Sequence, residues 1–295
     1  MTERTGVETM NIIWRCSLAG TVFLSTLFIF PSISTAITTR TIYVKLLVDE
    51  EETTLERIWQ ERVSNRLLAA NEILSHYCDV RFAPIAFERW ESDDRMRELP
   101  RSLREFEQEV SPEPGHLAIG FSNQYKFSPG RNSLGGTRGP MRGHILIRES
   151  ATHIHEPERL EVLVHELGHF LGAAHSSHPQ SAMRPILGDG QALVRDFQIG
   201  FDSENAKILQ LVSKEIRERS IRHFVQLTDP TLRDLRAEYV TLLDQQPKDP
   251  TAKRFLRIVD AVLQQRRSEL RGTTSAAQQR HAKTKATWRH PGTNQ

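Results

Sequence analysis

His165 to Pro185 reads HELGHFLGAAHSSHPQSAMRP, with four histidines in its first fourteen positions, two glycines between them and a methionine two residues before a proline. His165 and His169 are four apart, so on an α-helix their imidazoles stand on one face, one turn above the other, and can share a metal ion. His175 cannot join them from the same helix, because six further residues would carry it roughly 9 Å along the axis. Gly172 resolves this: glycine takes a positive φ without steric cost, so it can end the helix and swing His175 back as a third ligand. Three protein nitrogens with a fourth position left for water is the ligand set of a hydrolytic zinc site. Glu166, beside the first ligand, points past the ion and stands within reach of a water bound there, a general-base position. The expected chemistry is therefore Glu-assisted attack of zinc-bound water on a carbonyl that the metal polarises.

The pattern is specific. At this chain's histidine content, three fixed histidines, a glutamate and a glycine at these spacings arise by chance about once in ten thousand such chains. A histidine-rich core helix without metal is the competing reading, and burying His165, Glu166 and His169 together unpaired would be costly. His178, three past the third ligand, reads as a solvent-exposed loop residue. His153 and His155 form an HxH pair with no carboxylate at a recognisable ligand spacing.

Outward from this stretch, the 295 residues are 38% hydrophobic and 26% charged with a net charge of +2, enough for one ordinary domain and an appendage. That balance points to no nucleic-acid partner. Ser17 to Thr39 carries no charge, its apolar centre runs from Leu18 to Phe30, and Ser34-Thr35-Ala36 offers small residues for cleavage after Ala36. Residues 1–36 thus read as a signal peptide or, if uncleaved, a membrane anchor, and the chain is expected to be secreted, periplasmic or in the cell envelope. Cys16 lies in that segment, leaving Cys78 alone, so no disulfide framework is expected and Cys78 reads as a small buried thiol.

Thr41–Val48, Asp79–Trp90, His116–Ser122 and His144–Glu149 have strand character, and a long helix with a threonine cap is expected between the first two. A partly helical charged connector follows Trp90, and Ser122–Gly143 has the glycine and proline content of a surface loop. The helix bearing the histidines is expected to begin near Glu158, after Pro157. Another follows Asp202 or Ser203. Two more start at TDPTLRDL and KDPTAKRF, each with an aspartate cap before proline, and suggest an antiparallel helical hairpin over 221–270. Residues 271–295 carry five basic residues and no acid, which reads as a disordered basic tail.

His165, Glu166, His169, Gly172 and His175 resemble the metzincin HExxHxxGxxH pattern, and Met183 stands where that family has its methionine turn. Ser181-Ala182-Met183-Arg184-Pro185 is most similar to the matrixin version. The resemblance implies an α+β zincin domain over residues 40–220, with a twisted, mostly parallel sheet over the active-site helix and a second long helix, followed by the helical extension. It implies an endopeptidase holding one Zn2+ ion, with a protein or peptide substrate. Met183 would floor the zinc, Pro185 would support the turn, and Pro185 to Leu187 would form one wall of the substrate pocket. Gly143, His144, Ile145 and Leu146 would bind substrate through the free edge of the strand His144–Arg148. Matrixins also carry a pro-segment cysteine and structural calcium ligands; neither has a counterpart here, so calcium is not expected. The alternative is an exported zinc-binding protein that docks to a partner through its helical extension, with proteolysis secondary or lost.

Overall fold

In the computed structural model, residues 39–96, 98–124, 134–149 and 154–287 are described; the Ser17–Thr39 segment lies almost wholly outside them, as do His153 and most of the glycine-rich loop. The alternation of the strands decides the layering. Strand β1 (Arg40–Asp49) is central with β3 (Leu117–Ser122), β2 (Val80–Trp90) lies at one side, and β5 (His144–Arg148) and β4 (Gly135–Thr137) lie at the other, in the order β2-β1-β3-β5-β4. All neighbours run parallel except β4, which is antiparallel to β5.

Successive side chains on a strand point to opposite faces. Accordingly Ile42, Val44, Leu46 and Val48 of β1, with Leu117, Ile119 and Phe121 of β3 and Ile145 and Ile147 of β5, share one core. Leu47, Ala118 and Leu146 face the other way, under helix α2 (Leu99–Glu109) through Leu99, Leu103 and Phe106. The larger core is closed by α1 (Glu56–Leu74), which contributes Trp59, Val63, Leu67, Ala70 and Leu74 at helical spacing, and by α3 (Glu156–Phe170). This is the expected zincin architecture: a mostly parallel sheet over two long helices.

An ion cluster locks α1 to the start of α3. The guanidinium of Arg66, its side chain wholly buried, binds Glu149 after β5 and Glu156 at the first turn of α3. A buried charge needs such partners, and removing one leaves the other uncompensated. Burial works against the charge on Arg66, but the two carboxylates outweigh it and hold its pKa above the ordinary value.

Helix ends depart in detail from expectation. Helix α1 has Leu55 at its N-cap with no side-chain bond, while the Thr54 hydroxyl is taken by Glu52. Helix α3 begins at Glu156, because His155 caps it reciprocally with Glu158. Asp202 caps α4 (Ser203–Arg219) through the Asn205 amide. Thr228, rather than Asp229, caps α5 (Asp229–Gln245), whereas Asp249 does cap α6 (Pro250–Thr287) through the Ala252 amide.

Helices α5 and α6 pack as an antiparallel hairpin: Asp229 meets Arg266, Arg236 meets Asp260 and Tyr239 meets Phe255. Its inward residues Leu232, Leu235, Tyr239, Phe255 and Val259 join the core that α3 and α4 share. The tail expected to be disordered from Arg271 is instead helical through Thr287. Its alanine, glutamine, lysine and arginine content extends an already nucleated helix at little cost. Among the described residues, no helix is long and apolar enough to cross a membrane.

Candidate metal centre

Helix α3 carries His165, Glu166 and His169 on a buried stretch, each at most 6% exposed. The helix ends at Phe170, and Gly172 has φ +97°, a conformation that L side chains avoid. The amide of Gly172 donates back to the His169 carbonyl and that of Ala173 to the Gly168 carbonyl, closing the last turn. The chain then reverses and His175 comes over the two helical histidines. Ring centroids lie 4.5 Å apart for His165 and His169, 5.0 Å for His169 and His175, and 5.4 Å for His165 and His175. One nitrogen from each falls within 4.8 Å of the others.

Which nitrogen converges follows from the other. Nδ1 of His165 lies 2.7 Å from the Ala182 carbonyl, Nδ1 of His169 2.8 Å from the Ala173 carbonyl, and Nδ1 of His175 2.8 Å from Oδ1 of Asp249. A carbonyl or carboxylate oxygen only accepts, so each Nδ1 carries the proton and donates, and each Nε2 keeps a free lone pair. Burial, with the neighbouring His175, pushes His165 down to about 3, and burial with the neighbouring imidazoles pushes His169 well below the ordinary histidine value. His165 and His169 are therefore neutral and lone-pair bearing, which is the form a zinc ion binds. Those residues fit zinc, held by His165, His169 and His175.

Glu166 sits beside this set with Oε2 buried and unbonded. Burial pushes its carboxyl up to about 8, with Arg254 of α6 pulling the other way. Its other oxygen lies against β4: a Cβ built on Gly135 would stand 2.7 Å from Glu166 Oε1. Glycine at 135 is thus what lets the edge strand pass this close to the carboxylate.

Met183 is fully buried under the centre, and a Cβ on Gly168 would meet its sulfur at 2.7 Å. The turn is held from both sides. The Ser176 amide donates to the Met183 carbonyl and the Ala182 amide to that of Gly200, while the Ser181 hydroxyl donates to Asp202 at 2.6 Å. Arg184 binds the buried Glu161 of α3 and Asp189. Pro185 itself is exposed. His178 is exposed as well and lies outside the histidine set. Cys78 is buried, and that burial pushes its thiol up to about 11, so it is no nucleophile.

One expectation fails. The strand His144–Arg148 has no free edge: Ile145 to Ile147 pair with β3 on one side and with β4 on the other. Ile145 and Leu146 are buried core residues, and His144 turns its Nε2 to the Val110 carbonyl at 2.7 Å. Gly143 lies against Pro112. Among the described residues, the outermost strand on this side of the sheet is β4, Gly135–Thr137, whose glycine-rich sequence reads as loop. Asp249 and Tyr239 were also invisible to spacing, since both reach the site from about seventy residues downstream.

A helix presenting two histidines and a glutamate, a glycine reversal that returns a third histidine, and a buried methionine turn below them define the metzincin class of zinc peptidases. Within it, residues 59–202 match the family model of the matrixins. No curated protein matches the chain. Among solved structures it is similar to archaemetzincin from Methanopyrus kandleri, at 19% identity and a TM-score of 0.43, over 62% of this chain and 99% of that one.

Proposed function

We propose that the protein is a zinc-dependent endopeptidase acting on extended polypeptides. The observation that carries the reading is Glu166: a buried carboxylate with an unbonded oxygen, standing between three convergent imidazoles and the outermost strand β4. Zinc, when bound, supplies Lewis-acid polarisation of the substrate carbonyl and makes water more acidic.

The chain's own residues do the rest. The outer edge of β4 offers backbone groups that pair with a substrate strand, and Gly135 lets β4 itself lie against Glu166. Glu166 takes one proton from the attacking water as the new C–O bond forms, and delivers it to the amine nitrogen as the C–N bond breaks. A carboxylate with an unbonded oxygen beside the three imidazoles is placed for both halves of that transfer. The bonds at Nδ1 keep the three rings from turning.

The rival reading, a zinc-binding protein whose extension docks to a partner, is less well supported. The apolar faces of α5 and α6 are already buried against the protein's own core. The uncharged segment from Ser17 favours export, which N-terminal sequencing of the expressed protein would test. The catalytic reading is tested by incubating the zinc-loaded chain with a peptide library and with a denatured protein. Internal cleavages absent with Glu166→Ala are expected. A wild type that cuts nothing the variant leaves intact would overturn the reading, and trimming of single terminal residues would replace it with an exopeptidase.

A further inference from the structure

The three imidazoles are not held alike. His165 and His169 are fixed on α3 and donate from Nδ1 to neutral backbone carbonyls. His175 follows a glycine turn, belongs to no helix, and its side chain is 19% exposed. Its Nδ1 faces a carboxylate, Asp249, at 2.8 Å, with the Thr251 hydroxyl farther off at 3.5 Å. Asp249 has a 3% exposed side chain and divides its two oxygens: Oδ2 accepts the Ala252 amide at 2.6 Å as the cap of α6, and Oδ1 is left for His175. The hairpin holds the same turn at two more points. The Tyr239 hydroxyl of α5 donates to the Gly172 carbonyl at 2.7 Å, and the Phe255 ring of α6 stands edge-on to His169 at 6.2 Å.

We propose that Asp249 is a positioning residue of the metal centre, which makes the α5–α6 hairpin part of the catalytic apparatus. This rests on the reading of His175 as the third ligand. A carboxylate behind a ligand imidazole fixes its tautomer and orientation and raises its basicity more than a carbonyl does. His175 is the ligand that needs it, because no helix orients that ring. The aspartate in KDPTAKRF therefore serves two ends of one contact: it starts α6, and it aims the ligand that the glycine turn delivers.

The test uses the full chain and Asp249→Asn. Asparagine caps helices about as well as aspartate, so α6 keeps its start while the charged acceptor at His175 is lost. Three readouts apply: zinc affinity by competition with a chromophoric chelator, the visible absorption of the Co2+-substituted protein, and thermal unfolding of the metal-free chain. Zinc affinity is expected to fall about 10- to 100-fold with a changed Co2+ spectrum, while metal-free unfolding stays within about 2 °C of wild type. Equal zinc affinity and an identical Co2+ spectrum would overturn the proposal while leaving the peptidase reading standing; a wild type that takes up no zinc would overturn both. If the variant fails to fold, the zinc-loaded wild type decides: a low-field proton on Nδ1 of His175 is expected by NMR, and its absence overturns the proposal.

Discussion

Gly172→Ala probes the reversal on which the centre depends. At φ +97° an alanine sits in a strained region at a cost of about 1–3 kcal/mol. Stiffening of the unfolded chain returns about 0.4–1 kcal/mol. The new Cβ would stand 3.2 Å from the Tyr239 hydroxyl, 3.4 Å from Ile208 Cγ2 and 3.5 Å from Val212 Cγ2. The tyrosine cannot withdraw without giving up its 2.7 Å bond to the Gly172 carbonyl, so the crowding adds to the strain. A net loss of about 1–2 kcal/mol corresponds to a midpoint roughly 2–8 °C lower in a domain of this size. Calorimetry of the metal-free chain measures it, and a chelator competition should show weaker zinc binding, since the same turn delivers His175. Unfolding within about 1 °C of wild type, with unchanged zinc affinity, would refute the reasoning.

Gly168→Ala would drive a methyl to 2.7 Å from the Met183 sulfur and 2.9 Å from the Phe201 ring. Overpacking of this kind costs about 1–3 kcal/mol, and an unchanged urea midpoint would show that the methionine turn is not packed under α3. Gly135→Ala places its methyl 2.7 Å from Glu166 Oε1 and is expected to lower kcat more than 10-fold, about 1.4 kcal/mol; wild-type kcat with an intact fold would remove β4 from the site. Arg66→Met takes the buried guanidinium from Glu149 and Glu156 and leaves Glu149 paired with Arg159 alone. Removing the buried arginine is expected to cost about 3–5 kcal/mol, measured by denaturant unfolding, and a loss under about 1 kcal/mol would mean that Arg159 and water compensate the carboxylates.

Much of this was legible because it is periodic or local. Strand-forming residues mark β1, β3 and β5, and the 165–169 spacing with Gly172 puts two histidines on one helix face and brings a third back beside them. The misses have a common cause in pairing across distance. Gly135-Gly136-Thr137 has no alternation of its own and becomes a strand only by pairing with Ile145–Ile147, so the sequence pattern puts the sheet edge one strand too far inward. The caps at Thr228 and His155 depend on which of two adjacent residues leaves helical geometry, a choice made by packing. Asp249 bonds His175 and Tyr239 bonds Gly172 across 74 and 67 residues, and nothing in the local pattern of a helix start announces a metal-ligand partner. Arg184 and Glu161 are joined in the same way, across the methionine turn.

The most direct test of the central claim is to locate the zinc by anomalous diffraction at its absorption edge in crystals of the loaded Glu166→Ala protein, with metal content measured alongside. One zinc per chain is expected, bound by Nε2 of His165, His169 and His175 at about 2.0–2.1 Å. No zinc at these three rings, or zinc held instead by the acidic group of Glu50, Glu51 and Asp94, would contradict the account.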